Sequence, residues 1–494
     1  MMNKYGYMLA SMITSLTVST ALAKSFTIPS GDVSALTNAL TVSASPYDWI
    51  NLEPGVYDLR GIKMNTNNGG SHLNLTYSKL KGLGSKPEDV QLVGDGTLRV
   101  LRIDSSWYAA DFDLGARIEN LTITNGFSNG YDGGGVRMAS GVVTNCLIVG
   151  CRATGKGGGL FGNGSGRVYS SVICGCMAQH GGGLANMERI YGCDVHDNYC
   201  TGWGGGLYYV NSEQCTIRNN FTGNSSDGYG RNSDNAAWCD LSFCEVAGTS
   251  VFACNGFGCS VHGVGSQVVL NGNPFVSGEV AKSCVGVWVG GWRDGAGYFN
   301  AAATNCLFYS NCSDVGDQNS YLFNGRSKSI VNCTIIDNRK AKTFHYAQDA
   351  EDPCVVENCV FARNHYAYNN KQYDLFDNSW SPTCSAGAVL FLNCAYGTAN
   401  TTPYTNKADI KHPRGEIWQF GVDGFPADPG FSTREGAPLG SLRVGSPLRG
   451  RGAVEDWMRN STDIVGYSRL VDGKVDIGCY QYQPSGRGLC LIVR

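Results

Sequence analysis

The sequence predicts an all-β fold, a single-stranded right-handed parallel β-helix: a solenoid finished by capping segments. Three observations predict it. Four glycine triplets, beginning at Gly133, Gly157, Gly181 and Gly204, recur at intervals of 24, 24 and 23 residues. Each is followed by one aliphatic residue: Val136, Leu160, Leu184 or Leu207. A second pattern, Asn-Cys and then a β-prone pair, recurs at Asn145-Cys146, Asn305-Cys306, Asn332-Cys333, Asn358-Cys359 and Asn393-Cys394. Finally, glycine supplies 67 of 494 residues and charged residues only 16%, a turn-rich composition that argues against long helices. A period in the twenties marks coils that bury their apolar faces only by stacking.

Residues 1–23 read as an export signal. Lys4 opens a mostly apolar stretch, and Ala21-Leu22-Ala23 is a cleavage site, so the mature chain is expected to start at Lys24. No later stretch approaches 18 apolar residues, so no transmembrane helix is expected. Residues 24–60 are expected to cap the solenoid, with a short helix over 32–40 N-capped by Ser30 or Asp32. Trp49 to Leu59 reads as strand, Pro54-Gly55 turn, strand. The solenoid is assigned to 61–430 and is cleanest over 118–224. Excursions near 225–240, 285–300, 340–353 and 365–384 carry Trp238, Trp288, Trp292, Phe344, Tyr346, Tyr366, Tyr368, Tyr373 and Trp380. These aromatics either pack the loops down or line a sugar-binding face. Residues 431–483 are expected to close the C-terminal end, and 484–494 form a sorting tail or a frayed strand.

All 21 cysteines lie at or beyond Cys146. Their local pattern predicts a stack of buried thiols, one per coil, acting as small apolar filler. There is no Cys-x-x-Cys and no Cys/His set at ligand spacing, so no metal is expected. In Val195-His196-Asp197-Asn198, Ile217-Arg218-Asn219-Asn220 and Phe361-Ala362-Arg363-Asn364 an apolar residue is expected to point inward, with the Asn three residues later turning the chain. The net charge is −3 and no basic run occurs, so nucleic-acid binding has no electrostatic support.

The Gly-Gly-Gly-[Val/Leu] and Phe/Ile-x-x-Asn signatures, with Phe221…Asn224, Phe308…Asn311 and Phe361…Asn364, resemble the repeats of chlamydial polymorphic outer-membrane proteins. They also resemble the wider class of bacterial right-handed parallel β-helix proteins. The resemblance covers roughly 118–395 and implies an adhesin. The C-terminal barrel of that family has no counterpart in the alternation pattern here. Asp428-Pro429-Gly430-Phe431, Gly445-Ser446-Pro447-Leu448, Asp463 to Arg469 and Val475 to Tyr480 are similar to the closing segment of choice-of-anchor surface proteins. Together these imply a secreted, cell-surface or outer-membrane-associated protein.

For chemistry, one line stands out. Asp132, Lys156, His180 and Trp203 each precede a glycine triplet. In register they stack about 4.8 Å apart. A lyase needs a base, Lys156 or His180, something to offset a uronate charge, and an aromatic or polar platform such as Trp203; Asp132 is the remaining candidate on the line. The competing reading is a row of exposed residues at a bend. Gly55-Val56-Tyr57-Asp58 superficially resembles a pectin-esterase stretch but lacks the companion Gln-Asp-Thr-Leu. The motifs of polygalacturonases and pectate lyases are absent. Asp194-x-His196-Asp197 reads as a solvated turn. No cofactor is implied. The expected function is adhesion, surface structure or glycan contact, with a polysaccharide or a host or neighbour cell-surface glycan as partner. The alternative is a secreted lyase or glycosidase acting on an acidic polysaccharide.

Overall fold

The computed structural model describes residues 23–43, 45–76, 78–104, 115–223 and 416–483. Between these it describes 233–237, 239–242, 244–247, 254–257, 269–271, 301–309, 321–324, 327–337, 342–345, 354–364 and 389–397. The export signal up to Leu22, the tail 484–494 and the aromatics of the excursions other than Phe344 lie outside the described residues.

The chain is a parallel β-solenoid. A 14-stranded parallel sheet runs from Gly55–Asp58 to Ile417–Gln419, and a 15-stranded and a 5-stranded sheet form the other long faces. The first helix, Val33–Val42, is N-capped by Asp32, whose Oδ1 accepts from the Ala35 N–H at 2.8 Å. It buries Leu36, Ala39 and Leu40 in the core shared with the first strands. Pro54-Gly55 is a corner, not a hairpin: Trp49–Leu52 belongs to the 15-stranded sheet and Gly55–Asp58 to the 14-stranded one. Tyr57 is fully buried, its hydroxyl within 3.1 Å of the carbonyl oxygens of Ile28, Pro29 and Glu53. Burial pushes that phenol up to about 12. Its role is structural, which accounts for the residues that resemble an esterase motif.

Where the repeat is cleanest, two corners of each coil are made by single residues in the left-handed region. One corner is Asn120, Asn145, Ser170 or Gly192; the next is Asn125, Gly150, Gly175 or Asp197. Asn and Asp tolerate this backbone better than other side chains, which explains the Asn before so many cysteines. The second Asn pattern works differently from the expectation. The turn after Val195 and Ile217 is made by Asp197 (φ 54°) and Asn219 (φ 52°). Asn198 and Asn220, one residue later, are fully buried and point into the coil. Buried donors and acceptors must be paired, and stacked amides do that. Asn198 Nδ2 donates to Ile173 O and to Asn220 Oδ1, each at 2.9 Å.

The cysteines follow the same logic. After several corners a backbone N–H enters the interior and is taken by a side chain of the following coil. Ser171 Oγ accepts from Cys146 N at 3.0 Å; Cys215 Sγ accepts from Cys193 N, and Cys394 Sγ from Cys359 N, both at 3.4 Å. The thiols are therefore weak acceptors as well as filler. They form two columns, not one: Cys151 and Cys176 occupy the interior position continued by Asn198 and Asn220. Cys146, Cys151, Cys176, Cys193, Cys359 and Cys394 are unbridged and buried. Burial pushes the Cys146 thiol up to about 12, so it is not a thiolate nucleophile. No group of three or more His, Cys, Asp or Glu is placed to hold a metal ion among the described residues.

The closing segment packs along the flank of the solenoid. Phe425, Phe431, Leu442, Leu448, Ile464 and Ile477 cover Leu307, Ile336, Val360, Ala362 and Ala395 on the outer face of the 14-stranded sheet. Asn358 clamps it twice: Nδ2 donates to Ala453 O at 2.9 Å and Oδ1 accepts from Ala453 N at 2.6 Å. The motif residues build its interior. Asp463 accepts from the N–H groups of Val465, Tyr467 and Gln481, and the fully buried Arg469 donates to the carbonyls of Asp476 and Gly478.

Candidate functional site

The glycine triplets are in register. Gly133 N donates to Lys156 O, Gly157 N to His180 O, and Gly181 N to Trp203 O, each at 2.9 Å. Lys156 and His180 form a parallel bridge. Asp132, Lys156, His180 and Trp203 thus lie on one line over successive coils, at the corner between the 5-stranded and 15-stranded sheets. Glycine is required because the coils touch there through backbone. A Cβ on Gly158 would sit 2.4 Å from both Gly182 O and Met177 O.

Two of the four side chains are tied to the next coil. Asp132 Oδ1 accepts from Lys156 N at 2.7 Å, and His180 Nδ1 accepts from Trp203 N at 3.0 Å. The Asp132 carbonyl is held from beneath by Arg99, a fully buried guanidinium whose hydrogen bonds go to Gly133 O, Asn68 O, Gly70 O, Ser128 Oγ and Asp132 O. Burial in this uncharged cradle pulls Arg99 down to about 10. Asp132 and Lys156 form no ion pair with each other or with another described residue.

The residue the sequence reading missed is Tyr208. The His180 ring stacks on it, with centroids 5.0 Å apart and planes at 22°. Lys156 Nζ stands 5.5 Å from the same ring centre, and Tyr209 meets it edge-on at 4.7 Å. Burial pushes the Tyr208 phenol up to about 12. The signal was present: Arg137, Phe161, Ala185 and Tyr208 each follow the aliphatic residue after a triplet, and they pair in register. That column is where the corner side chains lie down. Trp203 is half-buried and belongs to the line through its backbone.

Burial first, and the Lys156 charge second, lower the His180 pKa. The ring is therefore neutral at neutral pH. Because Nδ1 accepts from Trp203 N, the ring proton sits on Nε2. His180 can donate to a ligand but has no free lone pair with which to abstract a proton. The unfolded ring titrates at about 6.5, so the unfolded chain binds this proton first as pH falls. Stability should therefore drop below about pH 6.5, and the loss should be complete once pH passes below the folded value. The urea midpoint measured from pH 7.5 to 5 should fall less steeply in His180→Gln; an unchanged slope would remove His180 from this role.

Asp194, His196 and Asp197 lie elsewhere, on the 14-stranded sheet. His196 Nδ1 is 2.7 Å from Asp197, and Arg218 donates to Asp194 at 2.8 Å. Asp197 makes the corner itself, so this set is a surface ion network at a turn.

No protein family matches the chain, and no curated protein is similar to it in sequence. Among solved structures it is similar to the pectate lyase Pel9A, at 13% identity and a TM-score of 0.33, covering 93% of this chain and 96% of that one. It is also similar to a PL6-family polysaccharide lyase from Pseudopedobacter saltans, at 10% identity and a TM-score of 0.34, covering 80% of this chain and 92% of that one. Similarity this distant assigns no residue a role.

Proposed function

We propose that this chain is an exported, cell-surface β-solenoid that contacts glycans through the glycine-triplet corner, in the manner of an adhesin or a surface-structure protein. The observation that carries the reading is the stack of His180 on Tyr208 with Lys156 against the same ring. An aromatic platform beside a cation and a neutral N–H donor suits a sugar face and its hydroxyls. The resemblance of the triplet and Phe-x-x-Asn repeats to those of surface adhesins points the same way.

The competing reading is a secreted polysaccharide lyase or glycosidase. It rests on Lys156 as the base, since His180 presents a proton and a phenol at about 12 is a poor base at neutral pH. One assay separates the two. The purified chain is incubated with acidic, sulfated and neutral polysaccharides, following unsaturated uronate, new reducing ends and binding together. Binding without cleavage, lost in Lys156→Ala/His180→Ala, is the expected result. Cleavage of any polymer would overturn it in favour of the enzyme; binding unchanged in the double variant would leave the line a simple turn.

A further inference from the structure

The 5-stranded sheet beside the corner presents a second column to solvent. Its outward residues pair in register in the order Phe127, Arg152, Met177, Tyr199, Phe221. Met177 and Phe221 are each 39% exposed. Tyr199 and Phe221 approach to 5.0 Å between ring centres, and the Arg152 guanidinium lies 5.6 Å over the Phe127 ring. Next to this column runs an exposed polar one: Asn129, Thr154, Gln179, Thr201. Beyond that lies the corner line.

Charge pairing singles out the same place. Among the eight arginines on described strands, Arg102, Arg117, Arg167, Arg189 and Arg218 each bond a carboxylate, and buried Arg99 bonds carbonyls and a hydroxyl. Arg137 and Arg152 have no carboxylate partner among the described residues, and neither does Lys156. All three lie on two adjacent coils around the glycine corner. A surface that neutralises its other described strand arginines and leaves Arg137 and Arg152 without a carboxylate is complementary to an anionic ligand there.

We infer that the ligand is an anionic, unbranched polysaccharide lying along the solenoid axis over the 5-stranded sheet and the glycine corner at its edge, its charges met by Arg152 on that sheet, by Lys156 at the corner and by Arg137 just beyond it on the 15-stranded sheet. This deepens the glycan-contact reading and rests on it. The rungs recur about every 4.8 Å, commensurate with the advance of an extended sugar polymer, so successive sugars meet successive coils. Met177, Tyr199 and Phe221 offer apolar faces to the rings, and the exposed Gln179 and Thr201 offer an amide and a hydroxyl to their edges.

The test is binding of the full chain to galacturonate oligomers of increasing length, with neutral xylan oligomers alongside, at two salt concentrations. Affinity for galacturonate should rise with length up to the span of five coils and fall with salt. Arg137→Gln/Arg152→Gln should weaken the long oligomer about tenfold. Met177→Ser/Phe221→Ser should weaken it by about the same factor and flatten the length dependence. All four sites are at the surface, and circular dichroism checks that the variants fold. Equal affinity for xylan, or an unchanged Arg137→Gln/Arg152→Gln variant, would overturn the anionic ligand while leaving glycan contact standing. Full length dependence in Met177→Ser/Phe221→Ser would overturn the placement on this sheet. Binding of neither polymer would sink the glycan-contact reading and this inference together.

Discussion

Gly182→Ala is expected to destabilise the solenoid by about 3 kcal/mol or more, or to prevent folding. A Cβ on Gly182 would sit 2.2 Å from Tyr199 O and 2.4 Å from Gly205 O. Both atoms are backbone, and both belong to the neighbouring coil, so no side chain can swing aside. Relief needs the coils themselves to separate. That would break in-register hydrogen bonds such as Gly182 N to Gly204 O at 3.2 Å and Gly183 N to Gly206 O at 3.1 Å. The control is Gly164→Ala, which tests conformation without crowding. Gly164 has φ +83° and nothing within 4 Å of its would-be Cβ. Its cost should be the left-handed strain alone, about 1–2 kcal/mol. Urea midpoints of the two variants decide the matter. If Gly182→Ala is no worse than Gly164→Ala, the triplet is needed for its turn and not for close approach.

That distinction also shows what the sequence could disclose. The triplets announced both the period and the register, because only backbone contact between coils demands glycine at the same place on every turn. The line Asp132, Lys156, His180, Trp203 followed directly, since position in a repeat translates into position in space. What the side chains on that line do was not legible. Asp132 and His180 turn to the N–H of the next coil, and Lys156 reaches past one coil to the ring of Tyr208. Those choices depend on which neighbour is large: Phe161 and Tyr208 flank Ala185 in the column beneath. The Asn before the cysteines recurs because left-handed backbone selects Asn locally. The second Asn pattern was misplaced by one residue, because a buried amide and a turn amide look alike in sequence. The flank-packing of 416–483 was hidden for a different reason. It depends on contacts between residues more than a hundred positions apart, such as Cys479 N to Thr334 Oγ1 at 2.9 Å.

Asn220→Leu is expected to cost about 3–5 kcal/mol, although the side chain keeps its branched heavy-atom skeleton. Asn220 is fully buried, and its amide serves both adjacent coils. Oδ1 accepts from Asn198 N at 3.0 Å and from Asn198 Nδ2 at 2.9 Å, while Nδ2 donates to Val195 O at 2.9 Å and Asn235 Oδ1 at 2.8 Å. Leucine leaves those groups without that partner in a medium where each orphan costs about 1–3 kcal/mol. Asn220→Cys should cost roughly half as much. The same column already holds Cys151 and Cys176, and elsewhere Cys215 and Cys394 accept an N–H from the neighbouring coil at 3.4 Å. A thiol therefore keeps an acceptor for Asn198 N and a weak donor like those of Cys151 and Cys176, which lie 3.8 Å from the carbonyls of Ile123 and Ile148, and gives up the bonds to Asn198 Nδ2 and Asn235 Oδ1. The expected order of urea midpoints is wild type, then Asn220→Cys, then Asn220→Leu. Equal losses for the two substitutions would mean that sulfur is only filler, and that the exchange of Cys, Ser and Asn along the interior columns reflects size and not hydrogen bonding. The expected order would instead make the cysteines of this chain one of three interchangeable answers to the same requirement, an acceptor inside each corner.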